Sequence, residues 1–344
     1  MNRTNPRPRQ ILLPAQHETT ARDTELFVRH LASFVPPDPF DAHAHLYPLA
    51  TVGVDFPDEL RPARNAVVGM TDYQRSTGAW MGDRCPRRGL FFGLPSSPRV
   101  DVRDANRHVV SEVAAHPESR CLLLVRPDDD PAAVEAEIRA TSAIGFKVYH
   151  TFARRADTPN AELDEYLPQW VWELAHAGGL VIMLHLVKPR ALADVQNQST
   201  LRANLQKWTG AKLILAHAAR GFCARHTVEG IAALVGFDNV FFDTSAICEA
   251  DALLAVLRTF GAQRLLFGTD FPVSSMRGRC VSVGDRFVWL TEENVRWPSS
   301  PDEQPTLVGI ESLLALQQAA RLAGLGDADV ERIFRDNARD LLLL

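Results

Sequence analysis

Short apolar runs alternate with longer amphipathic segments from about residue 40 onward. The runs are four to seven residues long and mostly continuous in hydrophobicity, as parallel strands buried on both faces are. They predict eight strands: "PFDAH" at 39–43, "LFFGLP" at 90–95, "CLLLVRP" at 121–127, "GFKVY" at 145–149, "LVIMLH" at 180–185, "KLILAH" at 212–217, "VFFDTS" at 240–245 and "RLLFGTD" at 264–270.

The segments between these runs have the pattern of helices. Asp-Pro opens "DPAAVEAEIRATSA" as an N-cap and first helical residue, and a glycine pair closes "NAELDEYLPQWVWELAHAGG". Strands that alternate with helices predict an α/β fold, a (β/α)8 barrel. A doubly wound open sheet is the alternative, but no GxGxxG follows the first strand to support dinucleotide binding.

Three segments exceed the minimal repeat. Residues 1–37 precede the first strand as an N-terminal extension with one predicted helix, "ARDTELFVRHLASF", while the barrel occupies 38–344. Residues 46–89 form a long insertion in the first βα connection, and 271–303 follow the eighth strand as an irregular segment. Loops of this length are usually functional or disordered. The second and third lie on the barrel face that carries active sites.

Composition narrows the function class. Of 344 residues, 46% are hydrophobic and 23% charged, and the formal net charge is −5. This charge gives no reason to expect nucleic acid or an anionic membrane as a partner. The longest apolar runs are far shorter than the ~20 residues of a membrane span. Five scattered cysteines without a CxxC pair favour a reducing cytoplasm over a disulfide framework.

Polar side chains close several of the predicted strands. In "FDAHAHLYP" at 40–48, His43 and His45 are two residues apart, so in a strand both imidazoles point to one face. A single histidine at a strand end is more often a hydrogen-bonded structural residue than a ligand. Convergence at one barrel mouth instead favours a divalent metal such as zinc. The strand-end residues are His43, His45, Lys147, His150, His185, His217 and Asp270.

The motifs "FDAHAH", "GFKVYH", "MLH", "LILAH" and "LLFGTDFP" together resemble the amidohydrolase superfamily, in particular its amidohydrolase-2 branch, over roughly residues 38–344. The resemblance implies one divalent metal, with zinc expected and manganese as an alternative. It also implies His43, His45, His185 and Asp270 as the ligands. His217 would lie beside the metal and polarise the substrate, and Asp270 would take the proton of the metal-activated water.

Four further residues are candidates for substrate binding: Arg220, Lys147, His150 and Arg277. The family often has a glycine soon after the sixth-strand histidine, whereas this chain reads "HAARGF" and places Arg220 near the mouth, where it could bind a carboxylate in a bidentate manner. Lys147 is expected to line the pocket as a partly buried charge. A carbamylated Lys147 that bridges two metals, as in binuclear relatives, is the alternative. Asp41, two residues before His43, is expected to point to the same side of the strand and to orient a metal ligand.

The resulting hypothesis is a metal-dependent hydrolase of a small carboxylated molecule that cleaves an amide, lactone or related bond. Non-oxidative decarboxylation of an aromatic or dienoic acid is the alternative from the same family. A barrel that binds metal without turnover is a third possibility, which the presence of a general base disfavours. Since many relatives are dimers in which a neighbour's loop reaches the active site, the 46–89 insertion could serve a homodimer.

Overall fold

The computed structural model describes residues 18–52, 67–291, 294–298, 300 and 303–343. Eight parallel strands form one sheet in which each strand pairs with the next along the chain, so all eight predicted strands are confirmed. They are β1 Phe40–His45, β2 Arg88–Phe92, β3 Arg120–Leu124, β4 Ala143–Val148, β5 Val181–Leu184, β6 Lys212–Leu215, β7 Val240–Asp243 and β8 Leu265–Leu266.

Backbone hydrogen bonds between β1 and the chain after β8 close the sheet into a barrel. The amide of Ala42 donates to the carbonyl of Phe267 (2.8 Å), and that of Asp270 donates to the carbonyl of His43 (2.7 Å). The amide of His45 donates to Phe271 (2.8 Å). The closure brings His43, near the end of the first strand, beside Asp270, which lies 227 residues further along the chain.

An irregularity in β1 determines which way its histidines face. In the pairing with β2, Asp41 lies opposite Gly89 and Ala44 opposite Phe91, so β1 carries one extra residue between them. Phe40 and Ala42 belong to an apolar layer contributed by six of the eight strands. Such a bulge interrupts the alternation of side chains. The two histidines consequently follow this layer toward the mouth of the barrel.

Helices cover the barrel and follow the strands in the predicted order. The predicted helix at 160–179 is shorter than expected, because Pro168 interrupts it and the α-helix begins only at Gln169. The helices are α1 Ala21–His30, α2 Met70–Met81, α3 Val102–Ala114, α4 Pro131–Ala140, α5 Gln169–Gly178, α6 Val195–Lys207, α7 Ala224–Gly230, α8 Ala250–Phe260, α9 Val308–Ala323, α10 Asp327–Glu331 and α11 Asn337–Leu342. In the described ranges, no helix is long and apolar enough to cross a membrane.

The long connections contain more regular structure than the sequence indicated. Helix α2 lies inside the 46–89 insertion, of which residues 53–66 are outside the described part. The segment after β8 contains an antiparallel hairpin of strands β9 Arg279–Val283 and β10 Arg286–Leu290. Its two-residue turn is Gly284-Asp285, with Gly284 at a φ of 61°. A Gly-Asp pair between two apolar runs is typical of a hairpin turn, and the prediction of an irregular segment here missed that signal.

Helix α1 anchors the N-terminal extension to the barrel through a buried ion pair. Asp23, which is fully buried, accepts hydrogen bonds from Arg277 (2.6 Å) and Thr306 (2.8 Å). The guanidinium of Arg277 also donates hydrogen bonds to the backbone carbonyls of Glu18 and Pro305. The extension is therefore fixed to the loop that follows β8.

Asp23→Asn should lower the free energy of unfolding by about 3 kcal/mol, because it leaves the Arg277 charge buried without a carboxylate. Urea unfolding measures the loss. Glu25→Gln on the same helix is the control: it removes an exposed ion pair with Arg29 and should cost less than about 1 kcal/mol. Equal costs for the two variants would contradict the role of the buried pair.

The effect of Asp23 should also depend on pH. Burial raises its pKa, but hydrogen bonds from Arg277, Thr20 and Thr306 outweigh burial and keep the pKa below the ordinary value of 3.8. The stabilisation is therefore present above that value and is lost as the pH falls through the lower pKa of the folded state.

Candidate active site

A cavity of about 490 Å³ opens at the carboxyl ends of the strands. Its volume is within the range of sites for small molecules. It contains the strand-end residues that the sequence predicted to converge, together with aromatic side chains from loops. The polar lining residues include His43, His45, Lys147, His150, His185, His217, Arg220 and Asp270; the aromatic ones are Tyr149, Phe222, Phe287 and Trp289.

At the base of the cavity, two imidazoles face one carboxylate oxygen. Oδ1 of Asp270 lies 3.4 Å from Nε2 of His43 and 3.3 Å from Nε2 of His45. These three side chains form a group whose ligand atoms are close enough to hold one metal ion. All three are buried.

Hydrogen bonds on the far side of each ring determine which nitrogen is free. Nδ1 of His45 donates to the carbonyl of Gly93 (2.9 Å), and Nδ1 of His43 donates to the carboxylate of Asp243 (2.9 Å). With the proton on Nδ1, each Nε2 presents a lone pair to Asp270. Burial lowers the pKa of both rings, that of His43 to about 3, so neither is cationic at neutral pH.

This donor set fits a cation. Although burial opposes ionisation of Asp270, the neighbouring imidazoles, in the cationic form that they take at acid pH, lower its pKa to about 2, so Asp270 is ionised at neutral pH. A carboxylate oxygen and two nitrogen lone pairs thus point toward one another, and such an arrangement is favourable only with positive charge between them. Imidazole nitrogen and carboxylate oxygen are ligands that zinc and similar divalent metals accept.

Lys147 places a protein cation beside His43. Its Nζ lies 3.4 Å from Nε2 of His43 and 4.5 Å above the ring of Phe92. Burial lowers the pKa of this amine to about 8. The side chain is 1% exposed, so Lys147 lines the pocket as a buried charge. Its carbamylation stays a prediction.

His217 lies in a left-handed turn directly after β6. The φ angles of His217, Ala218 and Ala219 are 56°, 48° and 61°, a conformation that non-glycine residues rarely adopt. The amide of His217 donates to Asp243 (2.9 Å), and its Nδ1 donates to the carbonyl of Ser245 (3.0 Å). That nitrogen is 3.9 Å from Oδ2 of Asp270. The turn therefore places the imidazole beside the proposed ligand group.

Asp243, at the end of β7, forms hydrogen bonds with both His43 and His217. The site residues predicted from the sequence do not include it. It accepts hydrogen bonds from the His43 ring, from the His217 amide and from Ser245. Burial raises its pKa, but these interactions outweigh burial and hold the pKa well below the ordinary value. A carboxylate that fixes the tautomer of a metal-binding histidine raises metal affinity. The same strand-end position that marked Asp270 also marks Asp243 in "VFFDTS".

The family model described as Amidohydrolase (amidohydrolase-2) matches residues 40–344 of the chain. The chain belongs to the amidohydrolase family. It is an enzyme of the hydrolase or decarboxylase type, as membership of this family implies. A barrel that binds metal without turnover is therefore not supported. Comparison with curated proteins gives no significant sequence match.

Solved structures share the fold of this amidohydrolase at low identity. An amidohydrolase from Burkholderia multivorans with bound zinc is 16% identical, covers 89% of this chain and 99% of its own, and has a TM-score of 0.57. A probable 2-pyrone-4,6-dicarboxylic acid hydrolase from Acinetobacter baumannii with citric acid bound is 11% identical, with coverages of 89% and 100% and a TM-score of 0.57. The 5-carboxyvanillate decarboxylase from Sphingomonas paucimobilis is 16% identical, with coverages of 90% and 100% and a TM-score of 0.52.

His185 lines the cavity of the amidohydrolase but is outside the three-residue groups that the described residues form. Its ring lies 4.4 Å from that of Tyr149 and 5.0 Å from that of His217. Burial is the main cause that lowers its pKa well below the ordinary value, so the ring is neutral. Its role as a fourth ligand stays a prediction.

Arg220 and His150 line the same cavity as His43, His45 and Asp270. The guanidinium of Arg220 is 5.5 Å above the ring of Phe287 and 3.5 Å from the carbonyl of Leu186. Within the described ranges, no carboxylate is paired with it. Nδ1 of His150 lies 3.1 Å from Oγ1 of Thr158, and burial lowers the pKa of this ring to about 4. Both residues line the cavity, as predicted for substrate binding.

Arg277 and Asp41 are not where the sequence led us to expect them. Arg277 does not line the cavity; its guanidinium is buried against Asp23, so substrate binding by Arg277 is not supported. Asp41 accepts from the amides of His43 and Thr269 and from the hydroxyl of Tyr73. It orients His43 through the backbone amide rather than through the imidazole, which agrees with the irregularity in β1, because such a bulge interrupts the alternation of side chains.

Proposed function

We propose that this amidohydrolase is a metal-dependent hydrolase of a small carboxylate-bearing substrate with an amide, lactone or related bond. The observation that carries the proposal is the Asp270 carboxylate facing the Nε2 atoms of His43 and His45, in one cavity with Arg220. An ionised carboxylate in the cavity can accept a proton, and a half-buried guanidinium without a carboxylate partner in the described ranges can bind an anion.

The metal would be held by His43, His45 and Asp270, with His185 as the fourth ligand. The proposed metal is one zinc ion, with manganese as an alternative, and the zinc in the Burkholderia multivorans relative supports this choice. When bound, such an ion supplies Lewis acidity that polarises a carbonyl group and acidifies water.

Each side chain then has a separate task. Asp270 accepts the proton that the attacking water releases, because it is ionised at neutral pH. The imidazole of His217 faces the oxygen on which negative charge develops and polarises the bond to it. Asp243 holds the ring of His43 and the backbone amide of His217 in place, and the carbonyl of Ser245 holds the ring of His217. Lys147 adds positive charge at the base of the cavity and favours an anionic substrate.

The decarboxylase alternative is supported by the aromatic wall of the cavity. Phe222, Phe287 and Trp289 are suited to a flat unsaturated or aromatic acid. The Sphingomonas paucimobilis relative is a 5-carboxyvanillate decarboxylase. In this reaction Asp270 would take a proton from water and pass it to the carbon from which carbon dioxide leaves.

A panel of lactones, amides and aromatic acids that each carry a carboxylate should separate the two reactions. We expect turnover of at least one carboxylated lactone or amide without release of carbon dioxide, because Asp270 and His217 are arranged for hydrolysis. Carbon dioxide release and acid production are measured in parallel on the zinc-loaded and manganese-loaded protein. Esters of the same compounds, which lack the carboxylate, are the control and should react more slowly. Carbon dioxide release from the aromatic acids alone would establish the decarboxylase instead.

A homodimer formed through the 46–89 insertion stays a prediction, because residues 53–66 lie outside the described part of the chain.

A further inference from the structure

The hairpin β9–β10 presents two aromatic side chains on one of its faces. Phe287 and Trp289 are two residues apart on β10, so both point to the same side, opposite Ser282 and Cys280 of β9. Both rings line the cavity and remain partly exposed. The hairpin thus supplies part of the cavity wall from outside the (β/α)8 repeat.

We infer that the hairpin β9–β10 builds a subsite for a flat, unsaturated group of the substrate and so selects planar carboxylic acids over saturated ones of equal charge. This inference rests on the proposed function, since it concerns the same cavity, and it specifies the class of acid that the cavity accepts. It applies to hydrolysis and to decarboxylation alike.

The first support is a continuous aromatic wall that reaches the proposed reaction centre. The ring of Phe222 lies 5.2 Å from that of Phe287 and 5.6 Å from that of Trp289. On its other side, the Phe222 ring lies 5.0 Å from the ring of His217. Centroid distances of this size are those of interacting aromatic pairs. A flat group placed against this wall is therefore next to His217.

The second support is the cation at the edge of the wall. The guanidinium of Arg220 lies 5.5 Å above the Phe287 ring, within the range of a cation–π contact. The ring and the carbonyl of Leu186 hold the guanidinium at the cavity. An anionic group and a flat apolar body are the two features that Arg220 and the aromatic wall can bind together. A planar carboxylic acid combines them in one small molecule.

The third support is that the hairpin is fastened to the barrel at several points. Ser282 donates from its amide to Glu249 (3.1 Å) and accepts from the amide of Ala224 (3.2 Å). Asp285 at the turn pairs with His226 (3.0 Å). Residues whose positions are held by several contacts form a preorganised site. Replacing one ring should accordingly remove its surface without moving the hairpin.

Two probes of equal charge and similar size test the inference. Benzoate is flat, whereas cyclohexanecarboxylate is not, and neither contains a bond that the proposed hydrolase would cleave. Binding of each acid to the full-length, metal-loaded protein is measured by calorimetry or by ligand-observed NMR. We expect benzoate to bind about 3- to 10-fold more tightly than cyclohexanecarboxylate, which is the range of a stacked aromatic contact.

Variants on the two faces of β10 assign the preference. Trp289→Leu and Phe287→Leu should bring the affinity ratio of the two acids close to 1. Val288→Ala lies between them on the opposite, exposed face and should leave the ratio unchanged. Thermal unfolding and metal content, measured on each variant, confirm that the fold is kept. A preserved ratio in both leucine variants, an equal loss in Val288→Ala, or no binding of either acid would overturn the inference.

Failure of this inference and failure of the proposed function give different results. Selective benzoate binding without turnover of any carboxylated lactone or amide contradicts the hydrolase proposal and leaves the subsite in place. Turnover without preference for flat acids contradicts the subsite and leaves the hydrolase in place.

Discussion

Replacing His217 by asparagine should lower kcat/KM by a factor of ~10²–10⁴ while the metal content stays close to that of the unaltered enzyme. This is the usual contribution of a positioned acid–base or charge-stabilising group. In the structure, Ser245 holds the ring of His217 beside Asp270. The ring is close enough to His43 and Asp243 to form a second candidate group but is outside the group of His43, His45 and Asp270. Loss of the imidazole should therefore impair chemistry and leave the ligands in place.

Asparagine is the suitable replacement because His217 has a φ of 56°. Asparagine and aspartate tolerate this left-handed conformation better than other side chains, so the turn after β6 should be preserved. His116→Asn, in the connection after α3, is the matched control and should leave kcat/KM within about 2-fold of the original value. Metal analysis and steady-state kinetics are measured on both variants. An equal loss of metal in His217→Asn would show that this imidazole is itself a ligand.

The strands and the convergence of ligands could be predicted from the sequence because both follow from simple geometry. A strand buried on both faces needs a continuous apolar run, and each of the eight runs is a strand. In a parallel barrel all strands end at the same mouth, so His43, His45 and Asp270 had to meet wherever the barrel closes. The order of the strands in a closed barrel is therefore enough to predict that the first and the last strand are neighbours.

Other features depend on contacts that no local pattern contains. Arg277 comes seven positions after Asp270 in the sequence, which suggested that it binds substrate. Its partner is instead Asp23, which is 254 residues away along the chain. The side on which Asp41 acts depends on one extra residue in β1, and strand periodicity alone cannot reveal that irregularity. Asp243 is a different case: its strand-end position was visible, but only the hydrogen bonds from His43 and His217 show what it does.

Asp270→Asn should remove both metal binding and turnover, and we expect the metal affinity to fall more than about 100-fold. Residues that only hydrogen-bond to a metal ligand contribute about 10- to 100-fold, so a larger loss is expected for a ligand itself. The carboxylate is the one anionic member of the group with His43 and His45. Its amide counterpart carries no charge, and its NH2 group can donate to the two Nε2 lone pairs now 3.4 and 3.3 Å from Oδ1. Those lone pairs would then be occupied by hydrogen bonds.

The same substitution should keep or raise the thermal stability of the metal-free protein. Asparagine replaces a buried charge that faces two acceptors by a neutral donor, and it suits the φ of 58° at this position. Equilibrium dialysis with zinc, thermal unfolding in a chelator and turnover measure the three effects. Asp251→Asn, exposed on α8, is the control and should change none of them. If Asp270→Asn bound zinc as tightly as the original enzyme, the metal would have to be held elsewhere. If it instead lost stability without metal, the carboxylate would already be stabilised by a protein cation, and Lys147, 3.4 Å from Nε2 of His43, would be that cation.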